Sequence, residues 1–164
     1  MEPNLTWQVL YTMPRAEKKV YSELEKLHCD VYLPMVKVVR QWSDRRKKLL
    51  LPLFPSYIFV NARTSNRAEI LRLPGVIKFL VTNGRPDEIS QREINLIRQV
   101  VEHNPQVACG KFNVGDSVKF TSGPLIGIEG TLVNINGKRK FSVYLNALGK
   151  SLLVETNPGS LALK

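Results

Sequence analysis

The last third of the chain cannot be a bundle of helices. Between Val114 and Leu132 it carries Gly115-Asp116, Gly123-Pro124, Gly127 and Gly130, and Gly137 follows. Inside a helix each glycine costs about 1 kcal/mol relative to alanine, and proline about 3. The residues between these breaks favour strands: Thr131, Val133, Ile135, Val143 and Tyr144. Four short strands are expected, Val118 to Phe120, Thr131 to Ile135, Phe141 to Leu145 and Ser151 to Glu155, separated by Gly- or Asn-containing turns. About fifty residues of short strands predict a small β-barrel, near the lower size limit for independent stability. Gly115-Asp116 turns the chain into a strand, and Gly123-Pro124 reverses it. Gly127 and Gly130 allow conformations or close approaches that a side chain would hinder.

The texture before residue 105 is different, because helical and extended patterns alternate. Trp7 to Tyr11 reads as a strand with Trp7, Val9 and Tyr11 on one face. Ala16 to Leu27 reads as a helix with Val20, Leu24 and Leu27 at helical spacing. Val31 to Val39 is extended, with Pro34 favouring an edge or bulge. Gln41 to Lys48 is a polar, basic hairpin tip, and Tyr57 to Val60 is a buried strand. Asn66 to Leu73 is a short helix stopped by Pro74-Gly75, Val76 to Val81 a strand, and Ser90 to Val101 a helix. Ser90 and Glu93 are spaced as a capping box. The order predicts an α+β fold, an antiparallel sheet flanked by helices, followed by the small barrel. The expected division is a first domain over 1–103, a linker over 104–111 ending the last helix at Pro105, and the barrel over 112–164.

Composition excludes several classes. The 164 residues carry 24 Lys+Arg against 14 Asp+Glu, a net charge of +10, with +6 before residue 108 and +4 after it. With 43% hydrophobic residues there is enough to bury that a wholly disordered chain is not expected. Cys29 and Cys109, the two cysteines, lie too far apart for a disulfide framework or a metal spacing. The longest apolar run, Leu49 to Val60, is broken by Pro52, Pro55 and Ser56, well short of the ~20 residues a spanning helix needs. The start, Met-Glu-Pro-Asn, has no signal-peptide pattern. His28 and His103 have no ligand or triad partners at useful spacing, so no catalytic residue, metal or cofactor is expected. The reading is a cytoplasmic protein, with no membrane partner, whose charge favours a polyanion as neighbour.

Two motifs sharpen this. The ordered set Gly-Asp, Gly-Pro, Gly and Gly resembles the KOW motif of SH3-like barrels in transcription elongation factors and ribosomal proteins. Pro52-Leu53-Phe54-Pro55-Ser56-Tyr57-Ile58-Phe59-Val60, then Leu73-Pro74-Gly75-Val76, together with Trp7-Gln8-Val9-Leu10-Tyr11, resembles the N-terminal domain of the NusG family. The resemblance runs from Trp7 to Leu163 in that family's domain order.

The resemblance implies a bacterial transcription elongation and antitermination factor, not an enzyme, acting as a monomer and nucleoid-associated through RNA polymerase. It implies that the first domain docks on the clamp helices of the β′ subunit and bridges toward the β subunit. The docking surface falls on Tyr11, Phe54, Pro55, Tyr57, Phe59, Phe79, Ile94 and Ile97. Alternation puts Tyr57 and Phe59 on one face and Ile58 and Val60 on the other, so one of these faces must be core. The β gate-loop contact of the relative RfaH falls on Asn66, Arg67 and Ala68, where the residue types differ. Upstream or non-template DNA is the expected neighbour of Arg15, Lys19, Trp42, Arg45, Arg46, Lys47, Lys48 and Arg72. Such a basic tip is otherwise an ordinary solvated turn. The barrel's partner loop, which in the family meets a small-subunit ribosomal protein or Rho, falls on Ala147, Leu148, Gly149 and Lys150. Leu148 stands where many members have a larger aromatic. The changed gate-loop and partner-loop residues, the basic hairpin with Trp42 and the +10 charge favour an operon-specialised antiterminator. The alternatives are a housekeeping NusG coupling polymerase to ribosome or Rho, and a ribosome-associated RNA-binding KOW protein.

Overall fold

The structure is a computed structural model, and it describes residues 6–103, 108–110, 116–120, 127, 129–135, 138–145, 148–155 and 161–163. The chain divides into two compact units, Met1–Ile94 and Asn95–Lys164.

In the first unit, β1 (Thr6–Thr12) is the central strand of an antiparallel sheet. It is flanked by β5 (Tyr57–Ala62) and β6 (Val76–Phe79), while β2 (Asp30–Tyr32) extends the sheet beyond β5. The register Val9↔Phe59, Leu10↔Ile58 and Tyr11↔Tyr57 sorts the side chains into two faces. One face carries Leu10, Ile58 and Val60, which form a core with Val20 and Leu24 of α1 (Glu17–Lys26) and Ile70 of α2 (Arg67–Leu71). At about 25 cal/mol per Å² of apolar surface removed from water, this burial is the main stabilising term of the unit. The other face carries Val9, Tyr11, Tyr57 and Phe59.

Local chemistry sets the element ends. α1 closes in a Schellman motif, with Cys29 N–H donating to Leu24 O (3.1 Å) and His28 N–H to Glu25 O (2.9 Å). His28 takes the left-handed position, φ 56°, where glycine is usual. This backbone role accounts for one of the two histidines. Gly75 (φ +93°) reverses the chain beside α1, where a Cβ would meet Ala16 Cβ at 3.0 Å. The capping box is formed: Glu93 N–H donates to Ser90 Oγ (3.2 Å) and Ser90 N–H to Glu93 Oε2 (2.9 Å), opening α3 (Gln91–His103).

Pro34 divides the expected extended stretch. β2 ends at Tyr32, and β3 (Met35–Gln41) pairs with β4 (Arg46–Pro52) as a separate two-stranded arm, from Met35↔Pro52 to Gln41↔Arg46. Two elements absent from the sequence reading complete the unit. β7 (Val81–Thr82) and β8 (Arg85–Pro86) form a hairpin through Asn83 (φ 51°) and Gly84 (φ 74°), the paired positive angles of a type I′ turn. β9 (Glu88–Ile89) adds to β1.

In the second unit the four expected tail strands are present as β11 (Asp116–Phe120), β12 (Glu129–Ile135), β13 (Lys138–Leu145) and β14 (Lys150–Glu155). With β10 (Ala108–Gly110) and β15 (Leu161–Leu163) they make a six-stranded antiparallel sheet, in order β10-β14-β13-β12-β11-β15. Ala108 to Gly110, within the stretch read as linker, is thus a strand, because its backbone pairs with Ser151 to Leu153. The remaining linker positions 104–107 and 111 lie outside the described residues, as do Gly115, Gly123, Pro124 and Gly137 of the glycine set. Phe141, Val143 and Leu145 alternate into a core against Leu152 and Val154. Gly130 is required by close approach, since a Cβ there would lie 2.5 Å from Ser142 O and 2.6 Å from Phe141 Cζ. Gly127 is required by conformation, φ +83°. Both reasons match the expected uses of these two glycines.

Candidate functional site

Phe54-Pro55-Ser56-Tyr57 is a tight turn leading into β5. Tyr57 N–H donates to Phe54 O (3.1 Å), and Pro55 sits second and Ser56 third with φ 67°, the signature of a type II turn. Glycine is the usual residue at that third position, so Ser56 carries strain. Glu17, 5% exposed, accepts Ser56 N–H at 2.8 Å, and Ser56 O accepts Thr12 N–H at 2.9 Å. The turn is therefore fastened to both α1 and β1.

The turn and β5 build an aromatic layer. Phe54 packs edge-on against Phe59 (5.9 Å, 84°), Phe59 stacks with Tyr32 (6.2 Å), and Tyr57 tilts against Tyr11 (5.5 Å). The expected docking residues fall into three groups. Phe54, Phe59, Ile94 and Ile97 have no exposed surface. Tyr11 and Tyr57 are partly exposed and Pro55 is exposed. Phe79 is on the opposite side of the sheet, cross-strand from Leu10 and in the core with Val20, Ile58 and Val60. In this structure the exposed apolar surface of the set is therefore Tyr11, Pro55 and Tyr57, with buried Phe59 on the same sheet face.

Of the gate-loop trio, Ala68 is exposed, and Asn66 accepts the Ser65 hydroxyl at 3.2 Å. The Arg67 guanidinium lies 4.8 Å from the Phe79 ring centre, and its Nε is enclosed without a hydrogen bond. Holding the cation over a ring in this way orients the remaining N–H groups of the arginine. Sequence spacing gives no signal for the Arg67–Phe79 pair, because twelve positions and a turn separate its members.

The basic set is spread out. Trp42 N–H donates to Arg45 O (2.8 Å) across the turn of the β3–β4 arm, so Arg45 lies in the turn. Arg46, Lys47 and Lys48 lie in β4, opposite Gln41, Arg40 and Val39. Trp42 is 47% exposed, with Lys47 Nζ 5.6 Å from its ring centre. Register places Arg40 and Lys47 on one face of the arm, and Lys37, Lys48 and Arg46 on the other. Arg15, Lys19 and Arg72 are exposed but belong to α1, its approach and the end of α2, not to the arm.

In the second unit, Ala147 lies outside the described residues. Leu148 is 8% exposed, Gly149 is exposed with φ 58°, and Lys150 opens β14. Tyr144, which the sequence reading passed over, is 60% exposed, and its hydroxyl lies 3.7 Å from the Cβ position of Gly149. Alternation along β13 was the available signal, since Phe141, Val143 and Leu145 point inward. Among the described residues no three His, Cys, Asp or Glu side chains converge on a metal position, and no helix is long and apolar enough to cross a membrane. Burial, followed by the nearby Glu69 carboxylate, raises the Cys29 thiol above its ordinary pKa.

Comparison with known proteins matches residues 5–98 to the family of the transcription termination factor nusG. Curated relatives carry the name transcription termination/antitermination protein NusG. That of Rickettsia bellii is 24% identical, covering 91% of this chain and 85% of its own length. That of Pasteurella multocida is 27% identical over 91% and 90%, and that of Vibrio cholerae 25% over 97% and 96%. A solved structure of Thermotoga maritima NusG, described for its domain interaction, covers 98% of this chain and 97% of that one. Its TM-score is 0.58 at 22% identity, which speaks for the fold.

Proposed function

We propose that this chain, which belongs to the NusG family of transcription termination and antitermination factors, binds elongating RNA polymerase through the Tyr11–Tyr57 face of its first unit. It is a transcription factor, not an enzyme. The observation that carries the binding reading is that the family match over residues 5–98 encloses an aromatic pair left partly exposed on the same sheet face as the fully buried Phe59. Aromatic anchors held rigidly lose little side-chain entropy on binding, and such residues dominate interface energies. The proposed partner surface is the β′ clamp-helix tip, with Pro55 at its margin. Arg67, held over the Phe79 ring beside Asn66 and Ala68, is the group on offer to the β subunit. Co-purification of polymerase with the intact chain and with Tyr57→Ala tests this. Loss of binding with an intact fold supports it, and unchanged binding removes the face.

The β3–β4 arm supports a second part of the proposal, contact with upstream duplex or the displaced strand. Six cations, Lys37, Arg40, Arg45, Arg46, Lys47 and Lys48, lie on it against one acid, Asp44. Phosphate contacts from such groups give salt-dependent affinity without sequence choice, and Trp42 offers a stacking surface. We assign the chain to the operon-specialised branch. The arm and the buried Leu148, beside which Tyr144 is the exposed large apolar group among the described residues near that loop, favour it over a housekeeping role with ribosome or Rho. Genome-wide polymerase co-occupancy separates the two, with signal on a few operons expected and signal on all genes refuting the assignment.

A further inference from the structure

Between the start of α1, the base of the β3–β4 arm and the Pro55–Ser56 turn lies an open cleft of about 400 Å³. Its walls are apolar: Pro14, Leu50, Leu51, Pro52 and Pro55. Leu50 presents 48% of its surface. One Glu17 carboxylate oxygen is engaged from within, since the group is buried and accepts Ser56 N–H. The polarity left at the rim is cationic. Arg15 and Lys18 line the cleft, are exposed, and pair with no carboxylate among the described residues. The Lys18 ammonium reaches Leu50 O at 3.4 Å, which keeps it beside the arm. Both shoulders of the cleft are non-glycine residues in the left-handed region, Arg15 (φ 65°) and Ser56 (φ 67°). Strain of this sort persists where the surrounding structure fixes it, and it concentrates at ligand clamps.

We infer that this cleft is a second protein-docking site, which takes one apolar side chain of an extended acidic segment. Three features select that occupant. The cleft is at the small end of ligand clefts, roughly 300–1,000 Å³, which suits a single side chain better than a whole helix. No aromatic residue lines it, so a nucleobase finds no stacking plane there. Two unpaired cations at the rim complement carboxylates flanking the inserted residue. The site stands apart from the Tyr11–Tyr57 proposal, with Pro55 alone common to both, and its test does not need polymerase.

The test is a titration of the isotopically labelled full chain, followed by NMR, with the peptide acetyl-Glu-Asp-Leu-Leu-Asp-Glu-amide. The same peptide with Gln and Asn for Glu and Asp, and a short oligothymidylate, serve as comparisons. The acidic peptide is expected to move the resonances of Arg15 to Lys18 and Leu50 to Tyr57. The neutral peptide, and the R15E/K18E chain with the acidic peptide, should each bind about tenfold more weakly, the size of one to two charge-assisted contacts. L50E keeps the cations and fills the mouth of the cleft, so it should lose the peptide as well. Equal binding of both peptides, perturbation of these resonances by oligothymidylate in place of peptide, or no perturbation at millimolar peptide overturns the inference.

Discussion

The aromatic face and the basic arm belong to the same unit but are held in different ways. Tyr11 and Tyr57 are neighbours in a central strand pair, on the same face as Phe59, which has no exposed surface, and next to a turn fastened by Glu17. The arm is a two-stranded sheet of its own, with exposed side chains from Val39 to Lys48 on both its faces. The first arrangement couples recognition to folding: a change in the supporting layer disturbs the surface above it. The second decouples them, because the arm's charges lean on little and can be altered without loss of the core. A short-range docking contact needs preorganisation, whereas phosphate contacts act through charge and tolerate motion.

The largest effect should come from the supporting layer. Phe59→Ala removes a fully buried ring and is expected to destabilise the first unit by about 3–5 kcal/mol, read from denaturant unfolding. A loss under 1 kcal/mol would mean the layer does not support the face. Tyr57→Ala should leave most of the stability in place yet weaken polymerase binding by about 2 kcal/mol or more, measured by fluorescence titration. The arm should behave in the opposite way. With Arg45, Arg46, Lys47 and Lys48 changed to Gln, stability should stay within about 0.5 kcal/mol. Crosslinking to upstream DNA should fall at low salt, and the salt dependence of binding should flatten. Should this variant lose polymerase docking instead, the division of labour is wrong. The smallest effects concern the strained turns. Ser56→Gly and His28→Gly should each change the thermal midpoint only slightly, relieving about 1 kcal/mol of left-handed strain and giving part of it back through the freer unfolded chain.

Sequence reading reached the tail strands because Gly130 and Gly127 answer to local requirements, a Cβ collision and a positive φ, that leave a mark on the residue itself. The Ser90–Glu93 capping box was legible for the same reason, whereas the Phe54-Pro55 turn went unread. The division of the docking residues was not. Period-two alternation says that Tyr57 and Phe59 share a face, yet Phe59 is covered and Tyr57 partly open, a distinction set by packing from distant parts of the chain. Phe79 lies in the core beside Leu10, a place set by the pairing of β6 with β1 that no local pattern in the sequence marks. The pairings of β9 and β10 depend on partners some 40 to 80 positions away and leave no motif. Asn83-Gly84 did leave one and was passed over.

The central claim is that one rigid aromatic face docks the chain on polymerase. The most direct measurement is a double-mutant cycle between Tyr57→Ala and the Gln-substituted arm, read as affinity for a reconstituted elongation complex. The account predicts that Tyr57→Ala dominates, and that the two changes add to within about 0.5 kcal/mol because the sites are separate. Full affinity in Tyr57→Ala, with binding lost on neutralising the arm, would contradict it.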